Sequence, residues 1–326
     1  MTPDAQILAA LRGADDLFLS GFDLSQQLGL PPAAVEGRIQ ELRKLGYVIE
    51  ESPHLGYRLV GSPDALHADD LLARLQRPRI VGRDIKVFQE TTSTNDLAER
   101  LARDGVEEGM VVFAESQTRG RGRLGRSWLS PARKGLWFSV LLRPKLQPVE
   151  ATRLTVAAAT ALARAVAAQT DLSPTIKWPN DLLVNGRKTA GILTEMSADV
   201  DRVNHVIIGM GLDVNQTEED FPPELRPLAT SLRLETGQEL SRPSLAAAVL
   251  EELEKDYRRV VAGQFAAVAD EWEARCATLG QNVAIHTGHR RIQGRAEALD
   301  ETGALLVRTE HGLIERIIGG DVTIEK

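Results

Sequence analysis

Apolar residues recur with helical spacing over the first 45 positions: Ile7, Leu8 and Leu11 in one stretch, then Val35, Ile39, Leu42 and Leu45 at i, i+4, i+7 and i+10 on one face. Between these stretches DLSQQLGL (23–30) reads as a short helix ending at Gly29, and Pro31 and Pro32 suit the first turn of the helix that follows. YVIEE and YRLV, separated by SPHLG, then make a strand, a turn and a strand. Helix, turn, helix and hairpin form the plan of a winged helix-turn-helix over residues 1–62. GSPDALHADD (61–70) and QRPRIVG (76–82) read as linker around the short helix DLLARL, placing a connecting segment at 63–78.

From 79 to 274 the period alternates between strand and helix. Strands are expected at IKVFQE, MVVFAES, LWFSVLL, PTIKW, GILTEM and HVIIGMGLDV, and helices at NDLAERLARDG, the alanine-rich stretch 150–168 and SLAAAVLEELEKDYRRV. Two of the strands alternate little and should be buried on both faces. Residues 279–326 change character again, into short strands punctuated by DETG and GG, as in a small β-barrel.

Composition narrows the class. Of 326 residues, 43% are hydrophobic and 26% charged, ordinary values for a globular chain with room for two or three domains. A formal charge of −7 gives no global field toward nucleic acid or acidic lipid, so any anion binding must be local. The single cysteine, Cys276, excludes an intramolecular disulfide or a multi-cysteine metal site and is expected to be a small buried apolar residue. The first residues lack a signal-peptide pattern and no apolar run is long enough to span a bilayer, so a cytoplasmic protein with no membrane partner is expected.

Four polar segments in the middle region are poorly explained by packing. QTRGRGRLGRSW (117–128) interleaves Arg119, Arg121, Arg123 and Arg126 with three glycines, supplying forked cationic donors on a backbone that can approach an anion closely. A solvated basic turn is the plainer alternative, but flanking strand-like segments put this loop inside a folded sheet. TTSTND (91–96) can cap the following helix through Ser93 or Thr94, and a helix N-terminus is itself a ligand site. In KWPNDLLV (177–184), a turn accounts for Pro179, Asn180 and Asp181 better than for Lys177 and Trp178. NGRKTAGIL (185–193) is a hairpin whose returning strand carries Lys188 next to an Asn-Gly turn; alone, this lysine would pass for an exposed edge residue.

Taken together, GRGRLGRSW, KWPNDLLV and GRKTAGIL, with TTSTND upstream, resemble the biotin–protein ligases. With the helix-turn-helix and terminal barrel, the resemblance is to the bifunctional ligases that double as biotin operon repressors. It implies an α+β multidomain chain: winged helix-turn-helix (1–62), a ligase domain of mixed β-sheet and helices related to class II synthetases (79–274), and an SH3-like barrel (279–326). It also implies two reactions: biotin and ATP, with Mg²⁺, give biotinyl-5′-adenylate, and a lysine of a biotin carboxyl carrier protein then takes the biotinyl group. Ser93, Thr94, Asn95 and Gln117 would hold the ureido group of biotin, Gly191 would leave room beside its bicycle, and Gly122 belongs to the same biotin-binding set. Arg121, Arg123 and Lys188 would offset the repulsion between the biotin carboxylate and the α-phosphate, Lys188 foremost, with Lys177 a weaker candidate. Arg119, Trp128, Asn180, Asp181 and Asp213 would serve the nucleotide, Trp128 against adenine and Asp181 toward the nucleotide or its Mg²⁺. The resemblance assigns no resident metal ligands.

Two departures stand out. Asp213 occupies a position where the family usually has asparagine, with Asn215 available as a substitute. The recognition helix opens with Pro31 and Pro32, followed by Glu36 and Gly37, where repressing members carry a Ser-Arg pair and polar or basic residues. Residues 1–60 hold five basic and eight acidic side chains, few cations for phosphate. If operator DNA is bound, Arg38, Arg43, Lys44 and Arg58 are the expected contacts, from a homodimer that the adenylate would promote. The rival readings are a biotin-sensing repressor without transfer activity and a lipoate ligase on the same fold; the complete arginine loop with Lys188 argues against the first, KWPND and AGIL against the second.

Overall fold

The computed structural model describes residues 1–75, 79–288 and 290–325. The linker expectation at Gln76, Arg77 and Pro78 therefore lies outside the described residues, as do His289 and Lys326. The chain divides into two compact units, one of residues 1–77 with 241–247, the other comprising 78–240 and 248–326.

In the first unit, α1 (Pro3–Gly13), α2 (Gly21–Leu28) and α3 (Pro32–Lys44) precede a hairpin of β1 (Val48–Ser52) and β2 (Gly56–Gly61), and α4 (Ala68–Arg74) follows. The Thr2 hydroxyl caps α1 by accepting from Ala5 N–H, Ser20 caps α2, and Gly29 closes α2 in the left-handed region at φ 64°. Ile7, Leu8, Leu11, Leu24, Val35, Ile39 and Leu42 form one core with Tyr47 and Ile49. Leu45 departs from the expected stripe: it is the C-cap of α3, where the chain leaves the helix, and it is 49% exposed.

The second unit is built on a seven-stranded mixed sheet. Its strands are β3 (Asp84–Thr91), β4 (Met110–Gln117), β5 (Gly135–Leu142), β6 (Thr175–Lys177), β7 (Asp181–Val184), β8 (Arg187–Ala198) and β9 (Val203–Asp213). They are ordered β3-β4-β5-β9-β8-β7-β6, with only the β3–β4 pair parallel, joined by the crossover helix α5 (Thr94–Arg103). All of β5 and most of β4 and β9 are buried, so these strands are apolar on both faces. The segment PTIKWPNDLLV forms the antiparallel hairpin β6–β7, with Lys177 opposite Asp181. Helices α6 (Thr152–Gln169), α7 (Leu232–Thr236), α8 (Arg242–Val261) and α9 (Phe265–Glu273) complete the helical part, α8 beginning in the first unit's segment. Cys276 is half-buried rather than sequestered, its sulfur accepting from Thr278 N–H.

The chain ends in five short strands, β10 (Asn282–Thr287), β11 (Arg290–Leu299), β12 (Leu305–Arg308), β13 (Ile314–Ile317) and β14 (Asp321–Ile324), ordered β13-β12-β11-β10-β14. The DETG turn is held by Asp300, whose Oδ1 accepts from the N–H groups of Thr302 and Ala304. Among the described residues no helix is long and apolar enough to cross a membrane.

Candidate active site

The register of the three central strands determines where a ligand can lie. On β9, Ile207, Gly209, Gly211 and Asp213 share one face. Opposite them stand Leu141, Ser139, Trp137 and Gly135 of β5. Glu195, Leu193 and Gly191 of β8 pair with the first three. Helix α5 packs its Ala98 and Ala102 against this face at Ile207 and Leu141. Where the helix stops, the floor turns to glycine. A Cβ at Gly209 would lie 2.0 Å from Asn95 Oδ1, and one at Gly211 2.5 Å from the Trp128 indole; a Cβ at Gly191 would meet the same indole at 2.8 Å. The glycines thus make a cradle for Asn95 at one end and Trp128 at the other.

Above this floor opens a cavity of about 730 Å³, lined by the start of α5, the glycine-arginine loop, the β6–β7 turn and one end of the terminal barrel. The loop's fold uses its glycines unequally. Gly125 is left-handed at φ 75°, Gly120 lies where a Cβ would meet Trp128 O at 2.4 Å, and Gly122 is under neither constraint.

The residues expected at the biotin end are brought together, but largely bonded to one another. Thr94 N–H donates to Gln117 Oε1 (2.8 Å), so Gln117 rather than Ser93 caps α5. Gln117 Nε2 donates to Ser130 Oγ, and Ser139 Oγ lies 2.8 Å from Thr94 Oγ1 and 2.6 Å from Asn95 Oδ1. Asn95 Nδ2 donates to Glu195 Oε2 and Leu193 O. Such a closed network fixes rotamers before a ligand arrives. The Ser93 hydroxyl makes no hydrogen bond among the described residues.

The cations are placed differently from expectation. Arg121 lines the cavity but donates a fork to Glu195 (2.7 and 2.6 Å) and pairs with Asp96 at 2.9 Å, so two carboxylates already answer its charge. Its pKa is raised, chiefly by the Glu195 bond. Arg123 is half-buried and donates to Asn180 Oδ1 (3.0 Å), and burial pushes its pKa down. Asn180 also donates to Ile192 O, tying the β6–β7 turn to β8. Lys188 pairs with Asp181 at 2.7 Å, its Nζ 5.1 Å from the centre of the Trp128 ring. Lys177 lines the cavity as well. Arg119 is a correction: it is exposed and outside the lining, because its backbone N–H is drawn to Thr92 O as the loop leaves β4.

Asp213 lines the cavity and is buried, and that burial pushes its pKa well up against the opposing pull of Lys188 and Gln216. Asn215 is no substitute: its amide exchanges both hydrogen bonds with the backbone of Leu240, and it does not line the cavity. Sequence reasoning missed Gly209, Gly211, Glu195, Ser139 and Gln216. The two glycines had a readable signal, an i, i+2 glycine pair inside the apolar strand HVIIGMGLD. It also missed His286 and Asp321, through which the barrel reaches the cavity; Asp321 pairs with Arg126.

With this geometry established, comparison with known proteins is decisive. Residues 87–213 match the biotin/lipoate A/B protein ligase family, residues 278–324 the biotin protein ligase C-terminal domain, and residues 4–58 a helix-turn-helix domain. The chain is 38% identical to the bifunctional ligase/repressor BirA of Bacillus spizizenii, covering 94% of both chains. It belongs to the biotin–protein ligase family. To the bifunctional ligase/repressor BirA of Escherichia coli it is 29% identical over 99% of this chain and 97% of the other. The biotin protein ligase of Aquifex aeolicus in complex with biotin and ATP superposes with a TM-score of 0.64 at 31% identity, covering 75% of this chain and 99% of that one. The biotin ligase structure thus covers three quarters of the chain, while the match to the two ligase/repressors extends over nearly all of it.

Proposed function

We propose that this protein is an ATP-dependent biotin–protein ligase that also serves as a repressor through its N-terminal helix-turn-helix. The observation that carries the ligase reading is the lysine lining a glycine-floored cavity, Lys188, oriented by Asp181 and lying over Trp128. A carboxylate and a triphosphate must meet there. The biotin carboxylate oxygen attacks the α-phosphorus, the bond to the β-phosphate oxygen breaks, and pyrophosphate leaves. Lys188 and Arg123 would offset the charge gathering on the phosphoryl oxygens. Ser93, Thr94, Asn95 and Gln117, fixed in their network, would present the remaining donors and acceptors to the ureido group, and Trp128 would meet the base. Its Nε1–H is buried without a partner among the described residues, a donor that a ligand can satisfy.

Mg²⁺ would enter with the triphosphate, as part of the substrate. Asp181, which lines the cavity beside Lys188, would be the carboxylate to meet such an ion. The second step would place the carrier protein's lysine amine against the acyl carbon, releasing AMP. Repression would join two copies on operator DNA. Arg38, Arg43, Lys44 and Arg58 are each paired within the unit, with Asp4, Glu51, Glu41 and Glu50, so phosphate must displace a carboxylate at every one of them.

The test is biotin-dependent exchange of pyrophosphate into ATP. The parent protein should exchange, and Lys188→Ala should lose at least about a hundredfold, as expected when a charge answering the transition state is removed. Biotin binding without exchange in the parent would leave a sensor-repressor instead.

A further inference from the structure

One carboxylate beside the cavity grips a group from each substrate's side without lining the cavity itself. Glu195 stands on β8 two residues beyond Leu193, on the same face of the strand. Its Oε2 accepts from Asn95 Nδ2 at 2.7 Å and from Arg121 Nη2 at 2.6 Å, while Oε1 takes Arg121 Nη1 at 2.7 Å. A carboxylate can only accept, so the end of the Asn95 amide turned toward it must be the nitrogen. Leu193 O, also a pure acceptor, takes the same nitrogen over a longer 3.3 Å, and an amide turned over would set its oxygen against both. Both N–H groups of Asn95 are thereby used. Asn95 Oδ1 lies over the Gly209 floor and receives the Ser139 hydroxyl proton over 2.6 Å, so what this buried amide has left for a ligand is one lone pair of that oxygen. At Arg121 the same carboxylate works in the opposite sense. The guanidinium lines the cavity but is shared between Glu195 and Asp96, and a phosphate must displace them to use it.

We propose that Glu195 is a positioning residue with two opposed duties: it fixes Asn95 with its oxygen toward a ureido N–H of biotin, and it withholds Arg121 from the nucleotide phosphates. The inference rests on the ligase reading, because it takes Asn95 to meet the ureido group and Arg121 the phosphates. Substitution separates the two duties. Methionine has nearly the length of glutamate and offers neither a charge nor a strong acceptor, so Glu195→Met ends both. Glutamine keeps an oxygen for Asn95 Nδ2, and the Leu193 carbonyl holds the amide in its present sense, but no charge remains for Arg121. Glu195→Gln therefore ends only the second. Since Arg121 is released in both variants, the difference between them reads Asn95 alone.

The experiment pairs calorimetric titration of biotin, without nucleotide, with pyrophosphate exchange at saturating biotin to give KM for ATP. Glu195→Met should bind biotin about tenfold more weakly than Glu195→Gln, the loss expected when a buried amide is deprived of its short, charged partner. Both variants should show a KM for ATP about two- to fivefold below that of the parent, because one exposed ion pair fewer must be exchanged. A merely structural glutamate would not weaken one substrate and favour the other, and thermal unfolding of both variants checks that the fold is kept. Equal biotin Kd in the two variants, or a KM for ATP that falls in neither, overturns the proposal while leaving the ligase reading in place. Absence of exchange in the parent overturns the ligase reading and this proposal together.

Discussion

Placing one methyl group on the cavity floor tests whether the glycine cradle positions Trp128. In Gly211→Ala the new Cβ would lie 2.5 Å from two atoms of the indole, about 1 Å inside ordinary van der Waals contact. The strand cannot yield, because β9 is hydrogen-bonded to β5 on one side and β8 on the other. The indole must therefore rise. Overpacking of this kind costs about 1–3 kcal/mol in a rigid core. Here Trp128 sits on a partly exposed loop, so the low end of that range is expected, including the weakened contact with Lys188, worth roughly 0.5–1 kcal/mol. The chemical cost is larger: misplacing an active-site group by about 1 Å can lower the rate on the order of a hundredfold. Urea unfolding should move by no more than about 1–2 kcal/mol, while pyrophosphate exchange falls on the order of a hundredfold. Acrylamide should quench the tryptophan fluorescence more readily, because Trp137, Trp178 and Trp272 are buried and only Trp128 can change. If exchange stays within about threefold of the parent and quenching is unchanged, the glycine floor does not position the indole and the reasoning fails.

Other consequences follow from the same structure. Gly37 sits inside α3 with nothing within 4 Å of an added methyl, so Gly37→Ala should stabilise the first unit by about 0.5–1 kcal/mol in thermal unfolding. Arg164 joins α6 to Glu252 and Asp256 of α8 and Glu271 of α9; Arg164→Ala should cost about 3 kcal/mol in urea, since the fully buried Asp256 keeps only its exposed partner Arg259. Burial raises the pKa of Glu252 and Glu271, but hydrogen bonds from Lys255, Arg164 and Arg259 outweigh it and hold both below the usual carboxylate range. Their stabilisation is present above the unfolded pKa of about 4.3 and is lost as pH falls through the lower folded value, so Arg164→Ala should flatten the acid limb of stability against pH. Arg58→Ala should lower the slope of log K against log salt for duplex DNA by about 0.9 if Arg58 meets a phosphate; an unchanged slope removes it from the interface.

Much of this architecture is legible in the sequence because periodicity reports burial. The helical spacing of α5 and the continuous apolar runs of β4 and β5 point to the central sheet, and Val35, Ile39 and Leu42 to the core face of α3. Leu45 misled because an apolar residue one step beyond a helix continues the spacing but not the geometry. The cavity was only half legible. Motif segments name the residues that gather there, Ser93 to Asn95, Arg121, Arg123, Trp128, Asn180, Asp181 and Lys188 among them. They do not reveal which of those groups are already satisfied. Glu195 looked like an ordinary strand residue, yet register brings it opposite Ile207 and within reach of both Asn95 and Arg121. Arg119 belongs to the same motif as Arg121 and differs only in where the loop turns, which spacing cannot show.

Pairing also reorders the arginines as partners for an anion. Four of them within eight residues would repel one another if none were matched, and the acids around the cavity remove that repulsion: Glu195 and Asp96 at Arg121, Asp321 at Arg126. Because these pairs are exposed by roughly 40% or more on the arginine side, their net contribution is small and a phosphate can displace the carboxylate cheaply. A site arranged this way stays nearly neutral when empty and acquires its anion-binding charge only by partner exchange. Arg123 differs, since its guanidinium is held by Asn180 and the carbonyl of Gly320 and forms no ion pair among the described residues. Its charge is half-buried without a carboxylate in contact, so it gains most from an arriving anion. Among the four arginines, the attraction for a triphosphate therefore rests first on Arg123, with Arg121 and Arg126 available only by exchange of Glu195 and Asp321.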